Sequence, residues 1–518
     1  MNARVALGVF AFCMAAYFVL RFQGLWSEND TAAFSQMIAA VQQAGSIDVP
    51  HAYPHGYAYQ SLAASLLNLT GMSLASFLQR FGPILGALML VLFAYVTYSR
   101  LMVSRTLALL ASSVLFLVPE VLFTVIRGNH EKFTVSLTLL AGFLVVRLLD
   151  ALKRRTGCKS IIAWGLAYLL CLYSLDTLNL FFGSIFLSTF TLCALTLMML
   201  NRPLHLRISR DVLRALGLMV SSGWLLVIVV VTVVYPPARG NFSLLASAAE
   251  KLTGLLTYNT PAFNPYTAIT SDWSSPWLYQ LITAFRWVLM GSAVVGSALE
   301  LRDIAKNSVP PTLTQLLLVG LFIASIVLLA GSVVVDLLGL AAGSNLEVRV
   351  YTYVILWASP IAVRLVTRLG RVSGANFSGK LVQGALMVVF GLLVVASLLK
   401  SSLDPVLSNR WLGYHPAEVQ ALRTWSTLSE GNTLWIGYEP RLAFAYAMTQ
   451  SASLPRGNRL SAGPALKVQA AYALHSPLAD ANNRVWQVPL PAVLLGDQIY
   501  DNGEVQIVWR HPATPFQR

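Results

Sequence analysis

The chain has 518 residues, 56% of them hydrophobic and only 11% charged, with a formal net charge of +14. A soluble enzyme carries about 25% charged residues, so a mean hydropathy of +0.65 excludes a soluble globular protein and points to one embedded in a bilayer. The basic excess does not call for nucleic acid, because the lysines and arginines are spread over short loops between apolar runs.

Residues 5–20 (VALGVFAFCMAAYFVL) form the apolar core of a first membrane helix. No small-residue cleavage pattern follows it, so it is expected to be retained. Ser27-Glu28-Asn29-Asp30 comes directly after. Ionised groups beside hydrocarbon are costly, and where they face a cavity at the membrane surface they are functional candidates by default. The segment 23–80 then predicts a surface helix at 31–44, a polar and aromatic stretch from His51 to Tyr59, and a second helix at 57–70. Ten further apolar runs approach the roughly 20 residues that a membrane span needs. They fall at 81–98, 106–126, 133–149, 161–175, 179–200, 215–235, 277–299, 313–335, 350–366 and 381–399.

An odd number of spans puts the two termini on opposite sides. With a cytoplasmic N-terminus, the inner loops gather Arg100 and Arg105, Lys153 to Lys159, Arg202 to Arg214 and Arg364 to Lys380. That is the bias the positive-inside rule requires. Acidic residues run the other way, with Glu28, Asp30, Glu120, Glu131, Asp176 and Glu347 outside. The outer segment 236–276 contains an amphipathic stretch, 243–257, suited to lying in the interface as an anchor or a lid. From about residue 401 no spanning run remains. Alternation at 433–438 and 504–509 predicts strands, and 416–428 and 440–450 read as helices. The four cysteines all precede residue 200 and imply no disulfide framework. The expected class is an all-α polytopic membrane protein with about eleven transmembrane helices and a small C-terminal soluble α/β domain. Its parts are a transmembrane domain, 1–400, with outer loops 23–80 and 236–276, and an outer-face domain, 401–518. The membrane is expected to be a bacterial inner membrane.

An outer acidic cluster can act as a general base, bind a divalent cation through oxygen, relay protons, or simply face water. The order of features narrows this choice. An apolar helix, an acidic motif, a surface helix and a proline- and aromatic-rich segment leading into Leu/Ala helix resembles the N-terminal layout of the GT-C superfamily of polytopic glycosyltransferases. His51-Ala52-Tyr53-Pro54-His55-Gly56-Tyr57, followed by 61–71 (SLAASLLNLTG), is similar to a segment that many members carry. Further similarities are Val118-Pro119-Glu120 with Arg127-Gly128-Asn129-His130-Glu131-Lys132-Phe133, the polar break at Leu175-Asp176-Thr177, and Glu347-Val348-Arg349-Val350-Tyr351 ahead of Pro360. The likeness runs over roughly residues 1–370.

The resemblance implies an inverting transfer of a sugar on the outer face. The donor would be a polyprenyl-phosphate or polyprenyl-diphosphate carrier and the acceptor a glycan, lipid or protein. It assigns the base to Asp30, with Glu28 as neighbour or substitute. The departing phosphate then needs a cation. Arg349 is the first choice, since a guanidinium fork matches phosphate oxygens in pairs, and Arg127 and Lys132 are the others. The competing uses of Arg349 are an ion pair with Glu347 or a side chain snorkelling to the membrane surface. His55, Tyr57 and Tyr351 lie in the similar segments as substrate contacts. No cofactor is certain, but His130 and Glu131 leave a divalent cation, Mg or Mn, open. The tryptophan-tryptophan-aspartate signature of oligosaccharyltransferases is absent, which argues against transfer of a whole oligosaccharide to protein. The rival functions are a surface-polysaccharide polymerase or ligase, a secondary transporter, which would favour internal repeats and helices broken at the midplane, and a non-catalytic scaffold.

Overall fold

The computed structural model describes residues 3–22, 26–27, 29–47, 53–102, 104–154, 156–201, 206, 208–240, 276–306, 311–337, 346–372, 380–403, 412–413, 416–428, 433–437, 442, 459–461, 472–477, 479–480 and 497–509. Glu28, His51, the amphipathic stretch 243–257 and most of the helix expected at 440–450 lie outside the described residues.

Among the described residues nine helices are long and apolar enough to cross a membrane. Their lengths follow from hydrophobic runs bounded by polar or basic residues, because lipid leaves backbone polar groups only intrahelical partners. We label the helices α1 (Ala3–Phe22), α2 (Asn29–Ala44), α3 (Ala58–Thr70), α4 (Leu74–Leu101), α5 (Arg105–Val114), α6 (Pro119–Ile126), α7 (Glu131–Lys153), α8 (Cys158–Leu178) and α9 (Leu180–Leu200). They continue with α10 (Arg210–Val229), α11 (Pro276–Ala305), α12 (Leu313–Leu337), α13 (Leu346–Val372), α14 (Lys380–Leu403) and α15 (Pro416–Leu428). The helix α14 carries a shorter apolar stretch, Val388–Ser401. All eleven expected spans therefore coincide with helix.

One of them is not straight. The run at 106–126 reads as a single span, but Arg105–Leu117 and Pro119–Ile126 meet at 78°. Proline disfavours helix at the residue before it, and Val118 is extended at φ −95°, ψ 111°. Pro119 in turn suits the first position of α6, where its missing N–H costs nothing.

The helix α13 runs through the middle of the bundle. Tyr98 of α4 donates to the Leu356 carbonyl at 2.6 Å, and Ser359 donates to the Ala111 carbonyl at 2.7 Å. Gly142 of α7 makes room for Trp357, because a β-carbon there would stand 2.6 Å from the indole. Arg286 of α11 ties three helices together at one end of the bundle. It pairs with Glu120 of α6 at 3.5 Å and with Glu347 of α13, and it lies 4.1 Å over the Tyr351 ring. Glu120 is only 3% exposed. Removing one partner of a buried ion pair costs about 3–5 kcal/mol, because it strands a charge. Arg286→Met should therefore lower the thermal unfolding midpoint of the detergent-solubilised protein sharply. Adding Glu120→Gln and Glu347→Gln should recover most of the loss.

The C-terminal residues form a mixed five-stranded sheet from β3 (Thr433–Trp435), β4 (Arg459–Ser461), β5 (Tyr472–His475), β6 (Asp497–Asp501) and β7 (Gln506–Trp509). The order is β4-β3-β5-β7-β6, with β3 parallel to β4 and β5, and β7 antiparallel to β5 and β6. Buried Ala421, Leu422 and Trp425 of α15 share one apolar core with Leu434, Leu474 and Ile507 of the sheet. The same core takes in Phe34 and Ile38 of α2 and Tyr59 and Ala63 of α3. A second junction pairs two short strands, β1 (Trp26–Ser27) and β2 (Leu412–Gly413), with Trp26 opposite Gly413 and Ser27 opposite Leu412. The sheet is thus seated on the first loop of the membrane part.

Candidate functional site

Asp30 enters the site on the first turn of α2, the place where a carboxylate is favoured by the helix dipole. That turn is docked through its next residue. The Gly128 N–H donates to Thr31 Oγ1 at 2.9 Å, and the Tyr59 hydroxyl donates to the Gly128 carbonyl at 2.8 Å. A β-carbon at position 128 would lie 2.5 Å from the Thr31 side chain. Gly128→Ala should therefore push α2 off the 127–130 turn. The expected cost is about 1–3 kcal/mol, read as a lower unfolding midpoint with a parallel loss of activity.

With α2 so docked, Asp30 meets the motif after α6. Arg127 Nη2 pairs with Asp30 Oδ2, and Arg127 Nη1 pairs with Glu131 at 2.8 Å. Asn129 Nδ2 donates to Asp30 Oδ2 at 3.1 Å, while its Oδ1 accepts the Glu131 N–H at 3.0 Å. The Arg127 guanidinium also lies 5.1 Å over the Phe123 ring. The Lys132 amine donates to the Arg127 carbonyl. Its stem fits against Gly86, where a β-carbon would stand 2.9 Å from Lys132 Cδ. Lys132 is buried, so its charge works on the turn that carries Arg127.

His130 has a different set of partners. The Asn179 side chain lies 2.7 Å from His130 Nε2 and donates to the Tyr53 hydroxyl at 2.8 Å. Its Oδ1 accepts the Phe181 and Phe182 N–H groups, as an N-cap does for α9. The amide nitrogen is then the donor to Nε2, and the ring carries its proton on Nδ1. Nδ1 is buried and has no hydrogen-bond partner among the described residues. Phe34, Tyr53, Tyr59 and Phe182 surround the imidazole. His55 packs edge-on to Tyr53, and its carbonyl accepts the Leu180 N–H at 2.8 Å. The Tyr57 hydroxyl is 2.7 Å from that of Tyr173.

Arg349 approaches from the first turn of α13. The Asp336 carboxylate accepts the Leu346 N–H at 3.2 Å and the Glu347 N–H at 2.7 Å and so fixes that turn. The ion pair considered between Arg349 and Glu347 does not form, because Glu347 is taken by Arg286. Tyr351 belongs to the same Arg286 group, and its hydroxyl donates to the Arg286 carbonyl at 3.3 Å. Among the described residues Arg349 makes no ion pair and no hydrogen bond, yet its charge acts on Asp30 and on His130.

The fields agree with the geometry. Burial pushes the Asp30 carboxyl up, but Arg127, then Arg349, the Asn129 amide and His130 outweigh it, and the group is held below its ordinary value. Asp30 keeps 29% of its side-chain surface exposed. Burial dominates at His130 and drives the imidazole well down; Asp30 works against this and Arg349, Arg127 and His55 work with it, so the ring is neutral. Burial likewise pushes the Tyr53 phenol up. Among the described residues the site thus offers an ionised, oriented carboxylate, a guanidinium with no ion pair and a neutral imidazole with a spare N–H.

The option of Mg or Mn meets a specific obstacle. Such ions are commonly held by one or two carboxylates together with water and substrate phosphate, and among the described residues no group of three or more His, Cys, Asp or Glu side chains gathers. Asp30 and Glu131 do converge, but on the Arg127 guanidinium. His130 Nε2 is engaged by Asn179. As arranged, these residues do not fit a divalent cation.

Asn129 stood inside one of the motifs without a role of its own, and Asn179, Thr31 and Arg286 were not candidates. Asn179 had a signal, since it interrupts two apolar runs where an N-cap is needed, and so did Arg286, a charge within an apolar span. Thr31 had none.

No protein-family profile and no curated protein matches the chain. Solved structures do. The oligosaccharyltransferase AglB of Archaeoglobus fulgidus, in complex with an inhibitory peptide and a dolichol-phosphate, is 11% identical, with a TM-score of 0.54 over 88% of this chain and 64% of that one. The apo oligosaccharyltransferase of the same organism gives 0.53 at 11% identity over 91% and 69%. ArnT of Cupriavidus metallidurans aligns along 97% of both chains at 13% identity, with a looser TM-score of 0.42. The chain spans just under two thirds of the first of these proteins. It shares the fold of these oligosaccharyltransferases.

Proposed function

We propose that this chain is a membrane glycosyltransferase that moves a sugar from a polyprenyl-phosphate carrier to an acceptor hydroxyl in one inverting displacement. The observation that carries this reading is an Asp30 carboxylate oriented by Arg127 and Asn129 and lying in the field of Arg349, which makes no ion pair among the described residues, at the loop end of the bundle. The acceptor oxygen attacks the anomeric carbon, and a new C–O bond forms as the bond to the carrier phosphate breaks. Its proton passes to Asp30. The bonding pair leaves with the phosphate, whose added charge meets the Arg349 guanidinium. A carboxylate held at low pKa is a weak base, so it accepts the proton late, once the attacking oxygen has become acidic through bond formation. A preformed guanidinium at the leaving oxygen lowers the barrier without reorganising solvent.

Two more groups suit this chemistry. The buried Nδ1–H of His130 can donate to a donor oxygen, and burial keeps the ring neutral for that task. The positive-inside bias supports an active site on the periplasmic face of a bacterial inner membrane, with a cytoplasmic N-terminus. The region 401–518 acts as a domain that closes over the first loop and positions the acceptor.

The test uses the full-length protein in lipid nanodiscs with a polyprenyl-linked sugar pool and an acceptor extract, followed by mass spectrometry. Loss of sugar from the carrier should appear together with free polyprenyl phosphate and a glycosylated acceptor. A carrier pool that binds but stays intact with every acceptor would overturn the reading.

A further inference from the structure

We infer that the Arg127 guanidinium is the built-in cation of this site, seated between the Asp30 and Glu131 carboxylates where a divalent ion would have to stand. Arg127 is a positioning residue, and the protein takes up no Mg or Mn there. The turnover arms of its test rest on the function proposed above, and the metal-binding arms do not.

Three observations converge. First, Asp30 and Glu131 come from elements about a hundred residues apart and would repel each other if nothing lay between them. The two ends of one fork each hold one carboxylate. Second, Arg127 is fixed on both sides. Its side chain is 7% exposed and lies over Phe123, and its carbonyl is held by the Lys132 amine. Third, the oxygens and nitrogens that would complete a metal shell are engaged elsewhere. Asn129 Oδ1 accepts a backbone N–H and His130 Nε2 accepts from Asn179. Two carboxylates with water or a substrate phosphate are a set that Mg or Mn commonly uses, and here the Arg127 guanidinium takes both of them. A guanidinium fixed in place also needs no proton adjustment and cannot dissociate.

The probe is Mn ion, followed by electron paramagnetic resonance on the full-length protein in nanodiscs, with lipid-only nanodiscs as reference. Wild type should leave the free-ion signal unchanged, and chelator should not alter its turnover. Arg127→Ala opens the space between the carboxylates and should bind one Mn ion per chain, a gain lost again in Arg127→Ala with Asp30→Asn. Its turnover should fall at least 100-fold and recover at least 10-fold with millimolar guanidinium, but not with sodium chloride. Arg127→Lys keeps a cation without the fork and should turn over at an intermediate rate, which retains a test if the alanine variant does not fold.

Stoichiometric Mn binding by wild type, or loss of its turnover with chelator, would overturn the inference. So would an alanine variant that folds, binds no Mn and ignores guanidinium. The binding arms read out even from protein that transfers no sugar, so failure here and failure of the proposed reaction are distinguishable.

Discussion

Arg349→Ala should lower turnover by about 100- to 1,000-fold, the range found when one preformed donor to a developing negative charge is removed. The variant should fold normally. In the folded protein this guanidinium makes no ion pair or hydrogen bond among the described residues, so its removal strands no buried partner. Carrier affinity should change less than turnover, because the charge on the departing oxygen is larger in the transition state than in the bound carrier. Single-turnover rates set against carrier binding in nanodiscs check this split. Arg349→Lys should recover only part of the rate, since an ammonium cannot match two phosphate oxygens at once. Equal losses in affinity and rate would mean that Arg349 binds the carrier without favouring the transition state.

The second large effect is at Asp30. Asp30→Asn keeps the shape and an acceptor oxygen for Arg127 and Asn129 but cannot take a proton. Turnover should fall by about 100- to 10,000-fold, the contribution typical of a positioned general base. The pH profile supplies an independent check. The carboxyl is held below its ordinary value of 3.8, so it remains ionised as the pH falls through the usual carboxylate range. It is lost only when the pH drops through its lowered folded value. The acid limb of wild type should therefore lie below 3.8, and the Asn variant should show no such limb. An acid limb near pH 6 would assign the base to another group.

The fold was legible where a single physical rule dominates. Apolar length located the membrane helices, because a bilayer permits few other backbones: of the eleven expected spans nine are described helices long and apolar enough to cross, one is a bent pair, and one carries only a shorter apolar stretch. The break at Val118 was visible only as a proline inside a continuous apolar run, and hydropathy alone does not register a 78° bend. Asn179 stood out between two spans, and it caps α9. Charge pairing was not legible in this way. Glu347 lies two residues from Arg349, yet it pairs with Arg286, which is 61 residues away in sequence. The same holds for Asp30 and Arg127, separated by 97 positions. Ion pairs between loops leave no periodic trace, so Asp30 and Arg127 were each found by residue type but not as partners. Arg127 and Lys132 were candidates for phosphate by charge alone, and the structure engages both within the turn itself.

The pairing of Trp26 and Ser27 with Gly413 and Leu412, and the shared core of α2, α3 and α15, bear on how the protein is made. The ribosome delivers Asp30 among the first residues of the chain. The strand that pairs with its loop, and Trp425 of the core shared with α2, emerge only after α14 at 380–403. Contacts of such sequence separation form late. The acidic loop therefore waits, unfinished, through almost the whole of translation. A chain cut before residue 412 would keep the helix at 380–403 and leave the loop that carries Asp30 without its partner strand.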